Sequence, residues 1–437
     1  MRDKPTKKRV TTPATRMVAG VLGVASLALG LAACGGGAKS PTGSTVGGSG
    51  GKSPIVVGYE VPLTGVAAPD GKQEEQGWKI GLKDFGSSVD GHKITTYFTD
   101  TQGDPTIAVS DARNLVQQKH INILEGPLLA NGIGAVASYV DPLGVPVDDL
   151  SLCSAEQIPN YRKYGNGMDS GWTCDQPDLM AAVYMYKDLG YRHVTVLVND
   201  YAFGWISAGG FIKQFELLGG KIDKLIFAPT STTDYSPYVS SIPSNTQAVF
   251  AETVGSGSTK FTNDYQKYGL KGKIPLIGNT TVFDYSVLGS ESPAAVTGNE
   301  MVAQYCDGIN NSINKKFTSE FHTAYNTYPG YYAEAGYTKA GLVVNALKKL
   351  NGVATNKKAV ANALRTTPIV SARGPVTISP KTFSPIQNIY VCKVENQNGT
   401  LHDVPIKTYP TVKPWGDLTY SSWYAEFQKS ATGRPSA

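Results

Sequence analysis

INILEGPLLANGIGAVASYV, residues 121–140, decides how the rest of the chain is read. An apolar strand candidate runs into a loop of small residues, and the loop into a segment with helical spacing. In open α/β sheets a ligand lies where such loops leave the carboxyl ends of the strands, and the helix that follows offers unpaired backbone N–H groups. Half of a binding site is therefore expected at Leu129 to Gly132.

Upstream of this stretch, IVVGYEV (55–61) and KITTYFTD (93–100) are strand runs. EEQGWKIGLKDFG places Trp78, Ile80, Leu82 and Phe85 at helical spacing, and PTIAVSDARNLVQQK reads as a helix with Pro105 in its first turn. Downstream, VPVDDL is a strand run, and residues 151–174 read as a loop. The alternation then resumes: helix QPDLMAAVYMYKDLG, strand HVTVLVND, helix WISAGGFIKQFELLGG, and strands KIDKLIFAP, AVFAETV and IPLIGN. Strands alternating with helices imply mostly parallel sheets covered on both faces. The second set repeats the layout of the first, so two α/β lobes are expected. A third section holds strand EMVAQYC and helical runs INKKFTSEFHTAYN and YYAEAGYTKAGLVVNALKKL. GPVTIS and NIYVCKVEN close the pattern, with a tail of undetermined structure at 410–437. Chain that returns after both lobes predicts several crossings, which act as a multi-strand hinge.

The composition bounds the location. The 437 residues are 41% hydrophobic, enough for a large core, and the formal charge is +5. Residues 1–33 carry six bases and one acid; without them the 40 Lys/Arg and 35 Asp/Glu fall to 34 of each. That neutral balance offers no electrostatic case for nucleic acid. The basic start followed by Met17–Ala33, small and apolar, has the layout of a secretory signal. It ends in Leu31-Ala32-Ala33-Cys34-Gly35, which resembles a bacterial lipobox with Cys34 as the lipidated residue. Residues 34–54 read as a Gly/Ser tether with a reach of roughly 25 Å, so membrane attachment is expected at the extracytoplasmic face. Four more cysteines, Cys153, Cys174, Cys306 and Cys392, allow three disulfide pairings. Cys153 with Cys174 and Cys306 with Cys392 is preferred because the first pair closes a short polar loop; four buried thiols are the alternative.

Across roughly residues 54–400 the order of pieces resembles the periplasmic substrate-binding proteins of ABC importers, of the branched-chain amino acid type. IVVGYEVPLTGVAAPDG is similar to that family's opening strand and loop, TDTQGDPTIAVSDARNLV to its helix entry, and GPLLANGIGAVASYVDPLGVP to its first binding loop. VNDYAFGWISAGGFIKQFELLGG matches its Asp-Tyr-Ala-Tyr-Gly stretch with Phe203 for the second Tyr, and GYYAEAGYTKAGLVVNAL resembles a late helix. The resemblance implies two Rossmann-like lobes, one from 55–175 and 305–372, the other from 176–304 and 373–409. It implies a cleft that shuts on a small solute, most simply an amino acid, and a monomer that presents the closed form to a membrane permease, without cofactor or bond chemistry. It places the ligand carboxylate against Ala130, Asn131 and the stretch from Ser151 to Ser154. Tyr201 and Phe203 become an aromatic wall, and Glu252, Asn279 and Thr280 sit on polar loops of the second lobe. Thr280 stands where amino-acid binders carry an acid, and Glu252 is the substitute expected to meet an ammonium.

Rival readings are weaker. Gly132-Ile133-Gly134-Ala135-Val136-Ala137 fits a dinucleotide-binding fingerprint, with Asp148 further on, and would make the chain an oxidoreductase. The loop GPLLAN, however, separates strand from first glycine where that fold needs a tight turn. Gly47 to Gly51 matches a nucleophile-elbow pattern only inside the tether. The five histidines show no metal-binding spacing. Asn131 also suits a helix cap.

Overall fold

Parallel strands buried on both faces need continuous apolar runs, and that is how the first sheet is written. β1 (Ile55–Val61), β2 (Ser88–Val89), β3 (His92–Asp100), β4 (Ile123–Glu125), β5 (Val147–Leu152) and β6 (Gly167–Thr173) lie in the order β2-β3-β1-β4-β5-β6. All pairs are parallel except the β2–β3 hairpin. These strands belong to a computed structural model that describes residues 52–437. The leader, Cys34 and most of the tether lie outside the described residues.

The second sheet has the strands β7 (His193–Asn199), β8 (Lys221–Ala228), β9 (Val249–Glu252), β10 (Leu276–Asn279), β11 (Glu300–Ala303), β12 (Ile369–Ser371), β13 (Gly374–Ile378), β14 (Pro385–Gln397) and β15 (Thr400–Val412). β8-β7-β9-β10-β11 are parallel, and β14 joins β11 antiparallel, carrying β13 and β15 beside it. The expected class is thus observed: two mostly parallel α/β sheets.

Helices cover both sheets: α1 (Ala68–Phe85), α2 (Pro105–Gln117), α3 (Ala130–Val140), α4 (Gln157–Tyr164), α5 (Gln176–Val183), α6 (Ala202–Leu217), α7 (Ser236–Ser240) and α8 (Ser256–Lys267). The short α9 (Thr280–Phe283), α10 (Tyr285–Leu288) and α11 (Pro293–Val296) precede α12 (Ser312–Tyr325), α13 (Tyr331–Lys349), α14 (Lys357–Thr366) and α15 (Tyr420–Ser430). α13 returns to the first lobe and lies along α1. Glycine permits the close approach: a Cβ at Gly77 would sit 1.7 Å from the Ala333 carbonyl oxygen, and one at Gly336 would sit 2.1 Å from that of Glu74. The chain crosses between lobes from β6 to α5, from β11 to α12, and along β12–β14.

Two parts of the chain differ from the sequence reading. Residues 151–174 are not a loop, because they hold the end of β5, α4 and β6. Two glycines in Gly167-Met168-Asp169-Ser170-Gly171-Trp172-Thr173 and a polar α4 disguise them, although every residue of β6 is buried. The last section is ordered too: β15 runs to Val412 as the second arm of a long hairpin, and α15 packs on α6 with Ser430 against Gly209 and buries Trp423 and Phe427, each 1% exposed. Cys153 is joined to Cys174 across the ends of β5 and β6, and Cys306 to Cys392 on β14, with Cα–Cα distances of 5.4 and 6.5 Å.

Candidate functional site

The carboxyl ends of β4, β5 and β6 open toward the second lobe, where α6 begins. There the two lobes meet in a narrow slot lined by Leu128, Leu129 and Ala130 of the β4–α3 loop, Leu150, Ser151 and Cys153 at β5, and Trp172 and Cys174 at β6. Tyr332 of α13 and Tyr201 and Phe203 of α6 complete it. Its free volume is about 20 Å3, roughly the room one water needs. Leu128, Trp172, Phe203 and Tyr332 are each at most 5% exposed. The lobes are therefore shut on each other at this point.

The walls are aromatic. The ring centroids of Trp172 and Phe203, from opposite lobes, are 5.2 Å apart; Tyr201 lies 5.9 Å from Phe203, and Trp172 lies 5.0 Å from Tyr331. Flat apolar solutes suit such walls, since rings prefer offset or tilted contact at these separations. Polarity comes from the backbone. Helix geometry leaves the first N–H groups of a helix without an intrahelical partner, and a positive partial charge gathers there. α3 and α6 both start at the slot, and neither N-cap residue, Leu129 or Tyr201, supplies a side-chain cap. The Trp172 indole N–H adds a buried donor without a partner among the described residues. The lining residues include no Asp or Glu. Such a lining suits an anion attached to a flat apolar body.

Of the nine ligand positions expected from sequence, Ala130, Ser151, Tyr201 and Phe203 line the slot, and five do not. Asn131 is exposed and donates its amide to the Gly103 carbonyl at 3.2 Å. The Ser154 N–H donates to Gln157 Oε1 at 2.7 Å, in the turn that starts α4. Asn279 caps α9 through the Thr281 N–H and donates to Asp178, while the Thr280 hydroxyl donates to Gln304 Oε1 at 2.8 Å. Glu252 sits behind Tyr201: its Oε2 accepts the Asn199 N–H at 2.9 Å, and Oε1 has no partner among the described residues. Burial pushes Glu252 up to about 8, the Asn199 N–H holds it back, and the Asp178 carboxyl raises it further. Burial likewise raises the Tyr201 hydroxyl, with Glu252 and Asp70 adding to the effect. The expected ammonium partner is thus a buried, largely neutral acid one layer removed from the slot.

Trp172, Tyr332, Leu128 and Leu150 were missed. The loop reading of residues 151–174 concealed Trp172, and Tyr332 reaches the slot from α13, far from the other lining residues in sequence.

A family model described as periplasmic binding protein matches residues 54–400. The Leu/Ile/Val-binding protein homolog 6 of Brucella abortus (strain 2308) is 26% identical over 369 residues, which are 81% of this chain and 91% of that protein. An ABC transporter substrate-binding protein from Sphaerobacter thermophilus superposes with a TM-score of 0.77 at 26% identity, over 84% of this chain and 99% of that one. A solute-binding protein of an ABC transporter from Rhodopseudomonas palustris BisB5, in complex with 3,4-dihydroxy benzoic acid, gives 0.77 at 27% identity, over 83% and 98%.

Proposed function

The chain belongs to the periplasmic binding protein family, and on that premise we propose that it captures a small aromatic carboxylic acid between its lobes and delivers it to an ABC importer. The observation that carries this reading is the slot itself: aromatic walls from both lobes, two uncapped helix starts and no carboxylate in the lining. The Rhodopseudomonas relative, solved with a dihydroxybenzoic acid, supports the same class. Ligand held by both lobes favours the closed form only by the extra contact that closure supplies. Trp172 and Tyr332 act from one side and Phe203 from the other, so the ring of the acid is what couples the lobes.

An amino acid is the second reading, favoured by the name of the Brucella relative. It needs an acid facing the ammonium once water is excluded. Glu252, the residue expected to serve, accepts from the Asn199 backbone instead. The lipobox at Cys34 and the tether behind it support a lipid-anchored, extracytoplasmic location.

Thermal unfolding in the presence of benzoate, 4-hydroxybenzoate, 3,4-dihydroxybenzoate, leucine, isoleucine and valine tests the choice. A ligand at 100 times its dissociation constant adds about 2.7 kcal/mol of stability. Shifts with the benzoates and none with the amino acids are expected; shifts with the amino acids alone would reverse the assignment.

A further inference from the structure

Beside the slot, a second contact joins the lobes through acids. Asp284, between α9 and α10 in the second lobe, accepts the Tyr331 N–H at the start of α13 in the first lobe at 2.5 Å. It thus caps a helix of the opposite lobe, and it is 1% exposed. Next to it the Gln73 amide of α1 donates to the Tyr285 carbonyl at 3.1 Å, again between lobes. Asp70, in the first turn of α1 and 2% exposed, faces the same point. The Ser286 hydroxyl donates to Asp284 and also lies against the Asp70 carboxyl.

One hydroxyl hydrogen cannot serve two carboxylates. With both acids ionised, Asp70 would hold a nearly buried negative charge beside another. A proton on Asp70 removes the conflict, and the contact then holds as a donor–acceptor pair. Among the described residues, the groups around it supply no spare cation. Glu74 faces Asp70 from its own helix, Tyr332 from α13, Tyr201 from α6 and Asp284 from the second lobe. Asp307 and Asp403 face Asp284. The cations in the layer behind are taken: Lys339 lies 3.2 Å from Glu74 and 3.5 Å from Glu125, and His402 lies 2.6 Å from Asp307.

Resting on the reading of the chain as a two-lobe binding protein, we propose that Asp70 and Asp284 form a proton-dependent latch between the lobes, so that closure on the solute takes up a proton. When the lobes part, both carboxyls return to water and to the ordinary carboxylate range. On closing, burial first, then the neighbouring Asp284, pushes Asp70 up to about 8, and burial pushes Asp284 up to about 6. The closed state binds the proton more tightly, so closure is favoured at low pH. Its advantage shrinks as pH rises from the ordinary carboxylate range to about 8, and levels off above.

The test is calorimetric titration of benzoate into the unit Gly51–Ala437 between pH 5.5 and 8.5, in two buffers of different ionisation enthalpy. Benzoate itself stays ionised across this range. The expected result is proton uptake on binding, with affinity falling by up to about tenfold per pH unit and flattening near the top of the range. Asp70→Asn is expected to bind with a flat profile and no uptake. Asp284→Asn, whose amide oxygen can still cap α13, is expected to reduce the slope as well. A flat wild-type profile, proton release on binding, or a wild-type slope retained in Asp70→Asn would each overturn the latch. If benzoate does not bind at any pH, the aromatic-acid reading fails first. The latch is then read from the ligand-free radius of gyration, which should grow from pH 5.5 to 8.5 in the wild type and stay constant in Asp70→Asn; equal behaviour in both would overturn it.

Discussion

Glu252 sits at the carboxyl end of β9, where the family resemblance asks for a ligand partner and the local chemistry builds something else. Its carboxyl is buried, bonded to the Asn199 backbone and pushed up to about 8, so near neutrality it is mostly uncharged. Glu252→Gln is therefore expected to change solute affinity by less than about twofold, because the amide oxygen still accepts from Asn199. A residue that paired a ligand ammonium would instead cost at least ~2 kcal/mol, roughly 30-fold, on losing its charge. The same group has a stability signature. Its folded value is raised, so the protonated form is the one the fold prefers. Stability falls as pH climbs from the usual glutamate range toward about 8, and urea midpoints at pH 5 and pH 8 should lie closer together in Glu252→Gln than in the wild type. Phe203 makes the opposite case. It lines the slot and meets Trp172 across the lobes at 5.2 Å. Phe203→Leu keeps the apolar volume and loses the ring contact, so a benzoate-type ligand should bind more weakly by about 0.5–1.5 kcal/mol, roughly 2- to 10-fold, by titration. An unchanged constant would move the ligand away from α6.

At the scale of elements, periodicity revealed what burial on both faces forces into sequence. IVVGYEV and HVTVLVN are apolar runs because both faces of a parallel sheet are covered, and their strands were legible. β6 was not legible. Its seven residues are all buried, yet Gly167, Asp169, Ser170 and Gly171 carry little strand signal. Tertiary contacts explain them: a Cβ at Gly171 would lie 2.1 Å from the Leu150 carbonyl oxygen. Losing β6 from the reading meant losing Trp172 and half of the aromatic wall. α15 was hidden differently, since its short amphipathic pattern finds its partner, α6, some two hundred residues earlier. The disulfides give a prediction at this scale. Loop entropy ranks them by span, 21 residues for Cys153–Cys174 and 86 for Cys306–Cys392. Replacing each pair by serine should cost ~3 and ~4.5 kcal/mol respectively in denaturant unfolding. A larger loss from the shorter bridge would mean that local packing at the slot, rather than chain entropy, sets its worth.

For the whole molecule, function lies in the meeting of the lobes, and the sequence could announce only the lobes. Ala130 and Ser151 are positioned by the first, Tyr201 and Phe203 by the second; the strand–loop–helix pattern pointed to Ala130, and the family resemblance to the other three. Tyr332 and the pair Asp70–Asp284 depend on how the lobes close, which no local pattern encodes. Closure has a steric gate as well. Gly255 in the second lobe lies so near Val66 in the first that a Cβ there would come within 2.4 Å of the Val66 carbonyl oxygen. Gly255→Ala, at a φ of +53°, should leave each lobe folded at a cost of about 1–2 kcal/mol and weaken solute binding at least tenfold by holding the lobes apart. An affinity equal to wild type, with normal compaction on ligand addition in solution scattering, would contradict that role. The most direct test of the account is a crystal structure with the benzoate that gives the largest thermal shift. The account predicts the ring between Trp172, Tyr332 and Phe203, with its carboxylate against the first N–H groups of α3 or α6. A ligand bound outside the slot, or one whose polar end is turned toward Glu252, would contradict it.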